Sequence, residues 1–257
     1  MRTVAVHRDA VVITSLMWQT NAMALRAGDE AMLIDSPYYP EELEALSGVL
    51  AGAGFSPDAL LATHADFDHL LGRVAFPGLA LGVAESSAQR LHGEPGAAQR
   101  ELRDKDAELY VERARPLALG EVQALPVPGS VELGDQELEL HPAEGHTTDG
   151  MAIFARWCGV LCIGDYLSRV EVPWISAGGS LAEYRATLAR LAPLVEAAES
   201  VVPGHGAPHD RDTALRLLEE DSNYLEALGR GEERIRLPKG RDTKEQQGIH
   251  AENLTRV

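Results

Sequence analysis

The segment Thr63-His64-Ala65-Asp66-Phe67-Asp68-His69-Leu70 constrains this chain more than any other, because His64, Asp66, Asp68 and His69 are all metal-ligand types at close spacing. Leaving a strand in extended conformation, His64, Asp66 and Asp68 point one way and Ala65 and Phe67 the other, with His69 following at the turn. Imidazole with carboxylate is the donor set of catalytic zinc, manganese and non-haem iron, whereas closed structural zinc sites are usually rich in thiolate. Alone, such a segment also fits a surface turn, where Asp and His are common and often cap the next helix. Three further segments weigh against that reading: Gly145-His146-Thr147-Thr148-Asp149, Gly164-Asp165-Tyr166 and Pro203-Gly204-His205-Gly206. Each sets His or Asp beside glycine after an apolar run, as a site gathered at a sheet edge requires.

In order and spacing these motifs resemble the metallo-β-lactamase superfamily and its glyoxalase II-like motif set, whose first motif usually reads His-Xaa-His-Xaa-Asp-His. The family's later Gly-His-Thr, Gly-Asp and Gly-His elements match His146, Asp165 and His205, and its early strand ending in a supporting Asp matches Ala31 to Asp35. The resemblance implies a four-layer αββα sandwich of two mixed β-sheets flanked by helices, an α/β fold. It implies two divalent metal ions, zinc by family habit, the first held by His64, Asp66 and His146. Asp68, His69 and His205 would hold the second, with Asp165 bridging.

One position departs from the pattern: Asp66 stands where the family usually has a second histidine. A carboxylate there adds negative charge and a hard oxygen donor, which favours manganese or iron relative to zinc and raises the pKa of bound water. If Asp66 instead turns away, His64, His146 and Asp165 leave the two-histidine, one-carboxylate arrangement of mononuclear non-haem iron oxygenases, similar to the superfamily's persulfide dioxygenases. A third reading is a catalytically silent binding scaffold in which Asp66 has spoiled the site.

The expected chemistry is hydrolysis, with a metal-bound hydroxide attacking an ester, thioester, lactone or related carbonyl, and Asp68 orienting the nucleophile. No serine nucleophile elbow or catalytic cysteine competes with that mechanism. Asp35 and Asp149 are candidate acceptors for the outer nitrogens of the histidines. The loop Val170 to Ser176, with Val172, Trp174 and Ile175, is expected to wall the substrate pocket. Tyr166, His7, His92, His141 and His209 are read as structural, and His250 as a residue of an exposed tail rather than of the active-site mouth.

The formal net charge of −17 disfavours nucleic acid as a partner, since phosphate binding needs clustered Lys and Arg. The densest basic run, Arg230 to Lys244, is interleaved with Glu232, Glu233 and Asp242 and reads as solvated surface. A small-molecule substrate is expected, and the oligomeric state is left open. No run is long and apolar enough for a bilayer, and the N-terminus lacks a signal-peptide pattern, so the expected location is cytoplasmic. The only two cysteines, Cys158 and Cys162, are read as buried packing residues of one strand.

Strand-like runs at 10–14, 22–25, 31–34 and 60–63, helical patterns at 40–50, 85–91 and 97–102, and turn-rich strands over 117–140 make up the first half. Strands at 151–154, 160–163 and 201–202 alternate with helices over 181–195 and 212–228 in the second half. Residues 1–237 read as one domain, and 238–257 as a polar tail, mostly loop with a terminal helical turn, able to fold back.

Overall fold

The computed structural model describes residues 1–232 and 234–257; Glu233 of the interleaved basic run lies outside the described residues. Its first half runs β1 (Arg2–His7), β2 (Ala10–Thr14), β3 (Asn21–Ala27), β4 (Glu30–Asp35), α1 (Pro40–Gly52), β5 (Ala59–Leu61), α2 (Gly72–Ala75), β6 (Ala80–Ala84), α3 (Glu85–Gly93), α4 (Ala97–Leu109) and β7 (Gln123–Leu125). The second comprises β8 (Gly129–Leu133), β9 (Gln136–Pro142), β10 (Met151–Ala155), β11 (Val160–Cys162), α5 (Leu181–Ala197), β12 (Ser200–Val202), β13 (His209–Asp210), α6 (Arg211–Gly229) and α7 (Lys244–Arg256).

Strands β1 to β7 form one sheet in sequence order, antiparallel as far as β4 and parallel from there. The other sheet has the order β13-β12-β11-β10-β9-β8. Period-two alternation explains why the central strands carry no polar face: Val11 and Ile13 of β2 pack outward with Leu43, Leu46 and Leu50 of α1, while Ala10 and Val12 face the second sheet. Phe154, Leu161 and Val201 likewise point to Tyr184, Leu188 and Leu191 of α5, and Ile153, Val160 and Val202 point between the sheets. Two sheets face to face with helices outside make the four-layer αββα sandwich. Leu46→Ala should cost about 2–5 kcal/mol, because this fully buried side chain cannot be refilled by its neighbours; urea denaturation measures it.

Helix starts follow local chemistry. Pro40 pre-sets the first turn of α1, the Ser180 and Asp210 side chains accept the Glu183 and Thr213 N–H groups at α5 and α6, and Thr243 caps α7 by accepting from Gln246. Several sequence expectations are corrected. Cys158 lies in a 3-10 turn, Arg156–Cys158, separated from β11 by Gly159 at φ +64°, so the two cysteines do not share a strand; both are free and buried between the sheets. Burial pushes the Cys158 thiol up to about 11. Strands β1, β6 and β13 escaped the sequence reading, being exposed, short or helix-flanked. The largest correction is the tail, in which α7 takes up thirteen residues. His250 is accordingly half-buried, its Nδ1 3.0 Å from the Tyr224 hydroxyl of α6, rather than part of an exposed tail.

Candidate metal centre

Every strand that delivers a motif ends at the same edge of the sandwich. His64 leaves β5, His69 closes the 3-10 turn Phe67–His69, His146 precedes β10, Asp165 follows β11 and His205 follows β12. Backbone hydrogen bonds stitch these loops across the two sheets: Met151 N–H to Thr63 O (2.7 Å), Gly204 N–H to Gly164 O (2.6 Å) and Asn21 N–H to Gly204 O (2.7 Å). Glycine at 204 is a packing requirement, since a Cβ there would sit 2.0 Å from Asp165 Oδ1.

The structure brings together all seven residues singled out in the sequence. Asp165 is central: Oδ1 lies 3.2 Å from His69 Nε2, and Oδ2 lies 3.3, 3.4 and 3.6 Å from the Nε2 atoms of His146, His205 and His64. On one side of it, Asp66 Oδ2 stands 3.4 Å from His146 Nε2 and 3.6 Å from His64 Nε2. On the other, Asp68 Oδ2 stands 3.5 Å from His205 Nε2 and 3.7 Å from His69 Nε2. In each of the triads His64–Asp66–His146 and Asp68–His69–His205, one donor atom per residue lies within 4.8 Å of the others.

The outer imidazole nitrogens are all occupied. His69 Nδ1 meets Asp35 Oδ2 at 3.0 Å, His146 Nδ1 donates to Trp174 O at 2.8 Å, His205 Nδ1 donates to Trp18 O at 3.2 Å, and His64 Nδ1 meets Thr63 Oγ1 at 3.1 Å. Asp35, a non-glycine residue at φ +56°, also accepts the Thr63 N–H and hydroxyl at 2.7 and 2.8 Å, so one carboxylate braces two neighbouring ligand segments. Trp18 and Gln19 hold φ of +49° and +52° beside the His205 contact; such strain persists only where surrounding structure over-determines it. By contrast, His64 Nε2, His69 Nε2, His146 Nε2 and Asp165 Oδ1 are buried without a hydrogen-bond partner. Buried polar atoms are rarely left unpaired, and four orphans converging on one point fit divalent ions.

Proton affinities reflect the same crowding. Burial opposes charging His146 and His205, but Asp66, Asp165, Glu171 and Asp68 outweigh it and raise the imidazoles to about 9 and about 10. Burial would raise Asp66 and Asp165 too, yet the surrounding imidazoles hold both carboxyls well below their usual range.

Comparison with known proteins follows from this geometry. The family model described as the Metallo-beta-lactamase superfamily matches residues 17–205. The chain belongs to that superfamily. Among curated proteins, it is 28% identical over 227 residues to the acyl-coenzyme A thioesterase MBLAC2 of Gallus gallus, covering 82% of this chain and 80% of the relative. Among solved structures, it resembles the metallo-beta-lactamase family protein TTHA1429 of Thermus thermophilus (TM-score 0.69, 21% identity, 88% of this chain and 83% of that one). It also resembles TTHA1623 in a di-iron-bound form (TM-score 0.63, 24% identity, 80% and 97%).

Within this superfamily member, two functional neighbours escaped the sequence reading. Arg90 of α3 places Nη1 2.7 Å from Asp66 Oδ1 and 2.9 Å from Asp149 Oδ1, and nothing in the spacing of residues 66, 90 and 149 announces it. Glu171 brings Oε1 to 3.9 Å from His205 Nδ1, and burial pushes its carboxyl up to about 7. Asp66 faces the cluster rather than turning away. Among the described residues Asp149 makes no hydrogen bond to a histidine; its Oδ2 accepts the Ala65 N–H at 2.8 Å. Tyr166 is structural, accepting the His146 N–H and donating to Ala143 O. So is His209, whose Nε2 donates to Leu167 O. Trp174 packs its ring 5.5 Å from that of His146, whereas Val172 and Ile175 of the same loop, expected to wall a pocket, are buried in the core with residues of α5 and α6. Among the described residues no helix is long and apolar enough to cross a membrane.

Proposed function

We propose that the chain is a two-metal hydrolase acting on a thioester of the acyl-coenzyme A class, with His64, Asp66 and His146 holding one divalent ion, Asp68, His69 and His205 the other, and Asp165 between them. The observation that carries this reading is the set of four buried, unpaired donor atoms facing one point. Two divalent ions bound there supply an acidified water and Lewis acidity toward a carbonyl oxygen.

The chain's own residues do the rest. Asp35, Thr63 and the carbonyls of Trp18 and Trp174 fix the imidazoles with Nε2 turned inward. Asp68, with Oδ2 between His69 and His205, orients the attacking water. Asp165 presents one oxygen to His69 and the other to His146, His205 and His64, balancing positive charge between the triads. The water oxygen bonds to the acyl carbon, the carbon–sulfur bond breaks, and the thiol leaves with a proton while the acid is released. Trp174 supplies an apolar wall beside His146 that suits an acyl chain.

The thioester assignment draws on the named thioesterase likeness, while the ligand geometry favours hydrolysis in general. Two metals per chain on elemental analysis, with thiol released from acyl-coenzyme A faster than a β-lactam or lactone is opened, is the expected result. One iron per chain, with oxygen consumed on a persulfide and no thiol released, would replace it with the oxygenase. Zinc, manganese or iron would each be identified by the same analysis.

A further inference from the structure

The histidine-to-aspartate change at position 66 is accompanied by a guanidinium that touches the new carboxylate. Asp66 turns Oδ2 toward His64 and His146 and gives Oδ1 to Arg90 Nη1 at 2.7 Å. The same nitrogen reaches Asp149 Oδ1 at 2.9 Å, and Asp149 is fully buried, its other oxygen accepting the Ala65 N–H. Arg90 itself is only 18% exposed, so this is not a solvated surface pair. A carboxylate with one oxygen bound by a guanidinium has only the other to offer a metal, and its rotation is blocked.

We propose that Asp66 and Arg90 act as one ligand unit in place of an imidazole, with Arg90 as the positioning residue that makes Asp66 a single-oxygen donor and cancels its added charge. This rests on the metal-site reading above. Charge and the orientation of Asp66 together fix what each variant should do, with loss of orientation outweighing the charge that Arg90→Gln adds. In the parent, Asp66, Asp149 and Arg90 sum to one negative charge. Asp66→His leaves Arg90 balanced only by Asp149, so the unit becomes neutral and a dication beside it is less well held. Arg90→Gln leaves two buried carboxylates sharing no cation and frees Asp66 to rotate. The double variant returns to one negative charge with an imidazole in the ligand position. The two positions are therefore coupled, and restoring histidine alone does not improve zinc binding.

The test is zinc per chain and first-site zinc affinity by competition with a chromophoric chelator, measured on the full chain for the parent, Asp66→His, Arg90→Gln, Arg90→Lys and the double variant. Far-UV circular dichroism and melting of the metal-free proteins report folding. Asp66→His and Arg90→Gln should each weaken the first site roughly 10- to 100-fold, the usual effect of losing a partner that orients a metal ligand. Arg90→Lys, whose ammonium can still touch both carboxylates, should fall between Arg90→Gln and the parent. The double variant should bind more tightly than either single change, within about tenfold of the parent, which is non-additivity of the kind touching residues produce. The inference is overturned if Asp66→His alone holds zinc as tightly as the parent or the double variant, or if the two losses multiply. The Asp66→His arm leaves Arg90 in place, so it decides the matter even if Arg90→Gln folds poorly. A parent that takes up no divalent metal would overturn the metal-site reading and this inference together, whereas a metal-holding parent with multiplying losses would remove this inference alone.

Discussion

Asp165→Asn should lower hydrolysis by about 10^3-fold or more, on the order of 4 kcal/mol of transition-state stabilisation, and reduce metal per chain at the same time. The substitution keeps the side chain's size, which matters because the Gly204 backbone packs so close that a Cβ there would meet Asp165 Oδ1 at 2.0 Å. It removes the one charge that faces His69, His146, His205 and His64 together, at 3.2 to 3.6 Å. Without that carboxylate the four imidazoles lose the shared negative charge that would help them hold divalent metal. The amide nitrogen would in addition present hydrogens where the parent offers a lone pair. Elemental analysis and steady-state kinetics on the same preparation measure both effects, and unchanged metal content with an unchanged rate would remove Asp165 from the bridging position.

Arg241→Met should destabilise the fold by about 3–5 kcal/mol, the cost of leaving a buried ion-pair partner alone. Arg241 is 2% exposed and donates to Asp221 Oδ1 at 2.5 Å, Glu220 Oε2 at 2.8 Å and the Glu171 carbonyl at 3.1 Å. It thereby ties the segment before α7 to α6 and to the loop that carries Glu171 and Trp174. The same loop is held by Gln246, which accepts the Val172 N–H, and by Asn253, which accepts the Ile175 N–H and donates to Pro173 O. Since Trp174 O orients His146, loosening the tail should also weaken the first metal position.

The loss should depend on pH. Burial pushes the Asp221 carboxyl up to about 7 even against the opposing pull of Arg241. A carboxyl whose folded value lies above the unfolded value of about 3.9 contributes stability that is complete below the latter and fades as pH rises through the former. Without its cation, Asp221 is raised further, so Arg241→Met should lose more stability at pH 8 than at pH 5. Urea denaturation at the two values measures this, and equal losses would mean that Asp221 does not carry the effect.

The cluster of His and Asp side chains was legible in one dimension because one segment packs four of them within six positions and three others set His or Asp beside glycine next to an apolar run. Strand ends in one sandwich converge on one edge, so His64, Asp66, Asp68, His69, His146, Asp165 and His205, singled out by local pattern and by the family resemblance, come together in space. Helix α5 was legible from three- and four-residue periodicity, and α1 from helix-favouring residues after a Pro-rich start. The α7 helix was not, because Lys244 to Arg256 is polar on most positions and only Gln246 and Asn253 are buried. Its docking combines side-chain amides closing backbone groups of a distant loop with the partly buried Ile249 and Leu254, too few apolar positions to read as a stripe.

Motifs at fixed short spacing, together with the family resemblance they carry, made the fold class, the types of donor and the departure at position 66 readable from the sequence by itself. Only the tertiary structure decided how that anomaly is accommodated. Arg90, Asp66 and Asp149 come from a helix and two loops far apart in the chain, and an ion pair depends on distance in space, to which sequence separation is blind.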